Sequence, residues 1–169
     1  MEIIRARQKD IPEVLELVKV SIKDMNESGI HQWNERYPPL EIFESDVQSG
    51  TLFIMKEEER LAGIIVLSKE QDEEYKDVDW TDRSGRALVV HRLAVHPEFQ
   101  RKGMATKLMD FAENYARENG YTSIRVDTFS GNPRSLKFFE KLNYERKPGH
   151  IHFPENKEPY YCFEMIINK

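Results

Sequence analysis

The chain has 169 residues, enough for one hydrophobic core and short for two, and it reads as a single domain over residues 1–169. Its 25 Lys and Arg against 30 Asp and Glu give a net charge of -5, which excludes a general attraction to nucleic acid and confines any basic ligand site to a local cluster. Cys162 is the only cysteine, so no intramolecular disulfide forms, and no apolar run has the length of a signal peptide or a membrane span; a cytoplasmic protein without a membrane partner is expected.

Residues 2–7 alternate Ile3, Ile4 and Ala6 with charges and predict an opening strand. Asp10, Pro12 and Glu13 then predict a helix start, with Asp10 as N-cap, Glu13 as its capping-box partner and Pro12 in the permissive first turn. Val14, Leu15, Val18, Ile22 and Met25 give that helix one apolar face, and Ser28-Gly29 ends it. The next segment, residues 30–39, is too aromatic for a mere connector and too interrupted by proline for a regular element. Its Trp33 and Tyr37 are candidates to wall a substrate pocket or to plug the end of the core.

Residues 40–48 predict a short helix, and residues 51–55 and 61–67 two strands joined as a hairpin by the turn Glu57-Glu58-Glu59-Arg60. From 68 to 86 the chain is polar and acidic, with Tyr75, Val78 and Trp80 set among Glu73, Glu74, Asp77, Asp79 and Asp82, and predicts a long loop.

Leu88-Val89-Val90-His91-Arg92-Leu93-Ala94-Val95 predicts an apolar strand that turns at His96-Pro97. Beyond it the period lengthens, with Met104, Leu108, Phe111, Ala112, Tyr115 and Ala116 on one face of a helix. The first turn of a helix carries N–H groups without intrahelical partners and a partial positive charge, a combination that binds phosphate. Gly103 lets an anion approach the backbone, and Arg101 and Lys102 add full charges beside it. Residues 100–106 therefore predict a site for a phosphate-bearing ligand, the plain alternative being a solvated basic helix start.

Residues 121–127 predict a strand with Ile124 and Val126 inward, after a break at Gly120. Asn132 fits an N-cap and Pro133 the first position of a helix running along Leu136, Phe139 and Leu142. His150 and His152 would share a strand face, but two histidines without a further ligand type do not make a metal site, and none is expected. A strand over residues 160–167 closes the chain. There are no internal repeats, and neither Gly-x-x-x-x-Gly-Lys-Ser/Thr nor Gly-x-Gly-x-x-Gly occurs at the strand-to-helix turn, which sets aside a P-loop or dinucleotide fold.

Gln100-Arg101-Lys102-Gly103-Met104-Ala105 resembles the Gln/Arg-x-x-Gly-x-Gly/Ala signature of the GNAT superfamily of N-acetyltransferases, and Arg92-Leu93-Ala94-Val95-His96-Pro97 resembles that family's strand and exit turn. Residues 132–144 resemble its Asn-x-x-Ala-x-x-x-Tyr-Glu-Lys-x-Gly-Phe pattern, with Ser135, Phe139, Asn143 and Tyr144 in place of the alanine, tyrosine, glycine and phenylalanine. The resemblance implies an α+β fold, a mixed α/β sandwich whose central, mostly antiparallel sheet has splayed parallel central strands flanked by helices. It also implies acetyl-CoA as cofactor and CoA as product. On this likeness Leu93, Ala94 and Val95 hold the pantetheine arm by their backbone. Gln100, Arg101, Lys102, Gly103, Met104, Ala105 and Thr106 form the diphosphate turn, and Asn132, Ser135 and Phe139 approach the cofactor from the other side.

The implied reaction is direct transfer of the acetyl group to a primary amine of a small-molecule or peptide acceptor, which must be uncharged to attack. His91 is the candidate general base, on a strand face with Val89, Leu93 and Val95 if no bulge intervenes; the alternative is a hydrogen-bonded packing residue. The backbone N–H at Val95 is the candidate oxyanion donor. Trp33, Tyr37, Tyr75 and Trp80 are candidate acceptor contacts, and the acidity of the 68–86 loop suits a cationic amine or simply a solvated loop. Phe139 departs from the family pattern, since a phenyl ring has no proton for the leaving thiolate. Either water supplies it, or the domain binds acetyl-CoA without catalysis as a sensor or partner. A monomer and a homodimer are equally compatible with the sequence.

Overall fold

The computed structural model describes residues 2–33, 38–153 and 156–167. Among these, seven strands and four α-helices follow in the order β1 (Glu2–Arg5), α1 (Ile11–Glu27), α2 (Leu40–Gln48), β2 (Leu52–Glu57), β3 (Arg60–Ser68), β4 (Ala87–Val95), α3 (Met104–Glu118), β5 (Ser123–Phe129), α4 (Pro133–Lys141), β6 (Glu145–Ile151) and β7 (Tyr160–Ile166). The hydrogen-bonded strand order is β1-β2-β3-β4-β5-β7-β6, mostly antiparallel with the β4–β5 pair parallel, as a helical crossover through α3 requires. Among the described residues no helix is long and apolar enough to cross a membrane.

The chain divides into two compact units that interleave in sequence, Met1–Leu67 with His91–Phe111, and Ser68–Val90 with Ala112–Lys169. In the first, β1 pairs β2 and β2 pairs β3 antiparallel, from Glu2↔Lys56 to Arg5↔Phe53 and from Leu52↔Val66 to Glu57↔Arg60. The apolar face of α1 (Val14, Leu17, Val18) and Phe43 of α2 close over Leu52, Ile54, Ile64 and Val66 of this ladder. Gly63 in β3 is demanded by packing, because a Cβ there would stand 3.0 Å from the Leu108 side chain and 3.1 Å from the Ala94 carbonyl. In the second unit, the parallel ladder runs from Ala87↔Ser123 to Val90↔Val126, and β5 pairs β7 over its whole length, Ser123↔Ile166 to Phe129↔Tyr160.

One local expectation is corrected, the β2–β3 hairpin turn falls where it is predicted, and one of the two readings of the 68–86 loop is set aside. Asp10 does not cap α1 forward with Glu13. Its carboxylate accepts the backbone N–H of Arg7 at 2.8 Å, closing a short 3-10 turn at Gln8–Asp10 that leads directly into α1. The β2–β3 turn places two consecutive glutamates, Glu58 (φ 50) and Glu59 (φ 67), in the left-handed region, the turn hand that matches strand twist even though neither residue favours it. The 68–86 loop is not simply solvated: it forms a 3-10 turn at Glu73–Asp77 and buries Tyr75, Val78 and Trp80 against its own unit.

Candidate active site

β4 changes character along its length. Residues 87–90 are buried, whereas residues 91–95 are only half-buried although three of them, Leu93, Ala94 and Val95, are apolar. Arg92 has φ 48, a left-handed residue inside a strand, so the simple alternation that put His91 on one face with Leu93 and Val95 is broken between them. The half-buried His91 therefore takes its direction from the distorted backbone, not from sequence spacing. What stabilises the distortion is Asp46 of α2, whose carboxylate accepts Arg92 Nε at 3.0 Å and Nη2 at 2.9 Å. Asp46 in turn receives the Thr51 N–H and hydroxyl at its carbonyl, fixing the end of α2 to the start of β2.

After β4 the backbone N–H of His96 donates to the Ala62 carbonyl at 2.8 Å, and a 3-10 turn at Pro97–Phe99 buries Phe99. The guanidinium of Arg60 lies 5.0 Å and the ammonium of Lys102 5.6 Å from the centre of that ring, and Arg60 pairs with Glu98, holding its carboxyl below the usual range. Gln100 folds back, its amide donating to the Val95 carbonyl at 3.2 Å. Arg101 (φ 64) and Gly103 (φ 77) are both left-handed, and among the described residues nothing beyond Gly103 and its chain neighbours lies within 4 Å of the position a Gly103 Cβ would take. The first bond of α3 runs from the Lys107 N–H to the Gly103 carbonyl at 3.1 Å, so the N–H groups of residues 104–106 precede the helical ladder. Arg101, Lys102 and Gly103 are exposed, Ala105 and Thr106 half-buried, and Met104 is buried as the anchor of the turn.

In the second unit Asn132 caps α4 as the sequence predicts, its side-chain oxygen accepting the Ser135 N–H at 3.2 Å, and the Thr128 hydroxyl donates to the Ser135 hydroxyl at 2.7 Å. Phe139 is 2% exposed and packs against Phe138, Tyr144 and Phe163. The polar face of β5 (Ser123, Arg125, Asp127) meets the 68–86 loop: Ser123 donates to Asp82 at 2.6 Å, Arg125 stacks 4.5 Å from the Trp80 ring, and Tyr75 donates to Asp127 at 2.6 Å. Burial raises Asp127 to about 6 despite the bond from Tyr75, and burial with the Asp127 charge pushes the Tyr75 hydroxyl well above its ordinary value.

The candidate acceptor contacts fare differently. Trp33 lies in the core of the first unit and Tyr75 and Trp80 in the interior of the second, while Tyr37 lies outside the described residues. A groove of about 790 Å³ runs along α1 beside this segment, lined by Leu15, Val18, Ile22, Pro38, Pro39 and Leu40. The Asp46 partner of Arg92 and the loop partners of β5 escaped the sequence reading. Their one signal was charge inside strands that are otherwise apolar, which must find a partner when buried.

Residues 17–144 match the model of the acetyltransferase (GNAT) family. The chain belongs to the GNAT acetyltransferases. It is 22% identical over 139 residues to the uncharacterized N-acetyltransferase YesJ of Bacillus subtilis, covering 81% of this chain and 77% of the relative. A GNAT family acetyltransferase from Streptococcus agalactiae superposes with a TM-score of 0.83 at 20% identity, over 99% of this chain and 96% of that one. YncA from Salmonella typhimurium, solved with its cofactor acetyl-CoA, gives 0.73 at 14% identity, over 100% and 95%. Both likenesses are of fold. The expected sheet, mostly antiparallel with one parallel pair and helices around it, is the fold of this GNAT chain.

The donor set of the first unit suits a diphosphate. It offers unladdered N–H groups, an open approach at Gly103 and two exposed cations, next to the half-buried apolar residues 93–95 of β4.

Proposed function

We propose that this GNAT chain transfers the acetyl group of acetyl-CoA to the primary amine of a small-molecule or peptide acceptor. The observation that carries the reading is the strand-to-helix turn, where left-handed Arg101 and Gly103 present the start of α3 to open space beside Lys102. Strained non-glycine backbone of this kind costs about 1–2 kcal/mol and persists where function repays it. Arg101, Lys102 and the N–H groups of residues 104–106 would hold the phosphates, and Leu93, Ala94 and Val95 the pantetheine arm.

When bound, acetyl-CoA supplies a thioester carbonyl that an amine can attack. The chain's own tasks are then to remove a proton from the amine, which His91 is proposed to do directly or through water, and to offer the Val95 N–H to the carbonyl oxygen. Phe139 donates nothing, so water is the proton source for a leaving thiolate of ordinary acidity. The acceptor surface proposed is the groove along α1, whose lining includes Lys19, Lys23 and Glu27.

The test is calorimetric titration of acetyl-CoA with, in parallel, release of free thiol over a panel of polyamines, amino acids and peptides. Binding together with amine-dependent release is expected, and His91→Ala should keep the binding and lose most of the release. Absence of acetyl-CoA binding would return the turn at residues 100–106 to an ordinary helix start.

A further inference from the structure

The second unit contains a pocket of about 340 Å³ that the acetyl-transfer reading leaves unused. Its floor is Tyr75, Val78, Trp80 and Arg125, all more than nine-tenths buried, and its rim is the exposed Gln71, Asp72, Lys76 and Arg83. Arg125 is the unusual member. A buried guanidinium is ordinarily matched by a carboxylate, because removing its charge from water is costly. Here its two acceptors are neutral: Nη1 donates to the Gln71 side-chain oxygen at 2.7 Å, and Nη2 to the Asp82 carbonyl. Among the described residues its buried Nε has no hydrogen-bond partner.

The nearby carboxylates are engaged elsewhere. Asp82 accepts from Ser123, Thr122 and the Ser84 N–H, and Glu164 accepts the Thr81 and Asp82 N–H groups at 2.8 and 3.0 Å and faces Lys147. At the rim, Lys76 pairs with Glu73 and Arg83 with Asp79. The Arg125 guanidinium at the bottom of the pocket, stacked on Trp80, thus feels the charges of Glu164, its partner across the β5–β7 ladder, and of Asp82, yet among the described residues neither carboxylate hydrogen-bonds it, and it keeps spare N–H donors. A guanidinium fork matches a carboxylate. A phosphate dianion suits the pocket less well, since Asp72 on the wall would repel it; the same Asp72 would attract an ammonium group. The volume is at the lower end of small-molecule sites.

We propose that this pocket binds a small zwitterion of the amino acid type, its carboxylate on the Arg125 guanidinium and its ammonium group toward Asp72. Such a molecule could come as the amine acceptor itself or as a separate effector, and the experiment separates the two. Binding is measured without coenzyme, so the outcome does not depend on the acetyl-transfer reading.

The whole chain is titrated with each free proteinogenic amino acid by thermal shift, and the hits by calorimetry. At least one is expected to bind, with its methyl ester and its decarboxylated amine weaker by about tenfold or more, the size of a lost charge-assisted pair. Arg125→Gln should weaken binding comparably and Asp72→Asn should weaken it less. The analogues are tested on the unaltered protein and so remain informative if Arg125→Gln fails to fold. Incubating the hit with acetyl-CoA then assigns its role: a gain of one acetyl group in its mass marks the acceptor, and an unchanged mass marks an effector. No binding by any free amino acid, or equal binding by the ester, would overturn the proposal.

Discussion

Arg92 and Asp46 form a two-pronged ion pair whose side chains are only 10% and 11% exposed, and the pair joins a left-handed residue of β4 to the last turn of α2. Its value lies in what its loss would leave behind. In Asp46→Ala the guanidinium stays buried with no counter-charge, and a cost of about 3 kcal/mol is expected in urea unfolding. Asp46→Asn keeps an acceptor and should cost less. Because the pair sets the backbone that leads into residues 93–95, Asp46→Asn should also weaken acetyl-CoA binding in calorimetry. A loss below about 1 kcal/mol for the alanine variant would class the pair with exposed ones of little worth.

That pair also marks where the sequence stopped being informative. The strand, the basic turn and α3 were legible because a near-continuous apolar run gives way beyond Gly103 to a period near four, a local signal. The Asn132 cap and Pro133 were legible for the same reason. What Arg92, Arg125 and Asp127 meet was not, since Asp46, Trp80 and Tyr75 come from distant parts of the chain. Nor does spacing reveal a left-handed arginine within a strand, which made the direction of His91 unreadable. Trp33, Tyr75 and Trp80 illustrate the ambiguity of aromatics: burial in a core and burial around a ligand leave the same mark on a sequence.

Gly103 and Gly85 offer a matched comparison. Both are left-handed, at φ 77 and 82, and among the described residues nothing beyond each glycine and its chain neighbours lies within 4 Å of a prospective Cβ. Alanine at either position should therefore cost about 1 kcal/mol of stability through backbone strain alone. Only Gly103→Ala should also reduce acetyl-CoA affinity, because only there would the new methyl group stand at the proposed phosphate approach. Equal coenzyme affinity in the two variants would count against the turn as the phosphate site.

Cys162 is fully buried in β7, paired across the ladder with Asp127, and burial followed by the Asp127 charge pushes its thiol up to about 12. At neutral pH it carries almost no thiolate, the reactive form. Native protein should give no colour with an aromatic disulfide reagent over a period in which denatured protein reacts completely. The chain then contributes no background to a CoA-release assay. Rapid native reaction would show that the β5–β7 interior opens readily.

Asp127 supplies the pH dependence. Burial raises its carboxyl from 3.8 to about 6 in the folded chain, Tyr75 donates to it, and Asp72 and Glu74 add repulsion. Between those two values the folded state holds more protons than the unfolded state, so this group's contribution is complete below about 4 and is lost as pH rises through 6. The loss is on the order of 2–3 kcal/mol. Asp82 acts in the opposite sense in a separate window. Burial raises it, but bonds from Ser123, Thr122 and Ser84 outweigh that and hold it well below the ordinary range, so its contribution disappears only under acid. Asp127→Asn keeps an acceptor for the Tyr75 hydroxyl and removes the titration. Its unfolding free energy relative to the unaltered chain should climb as pH rises from 4 to 7 and then level off. A flat difference across that range would mean that Asp127 titrates alike in the folded and unfolded chain, and that the loop over β5 leaves it in contact with water.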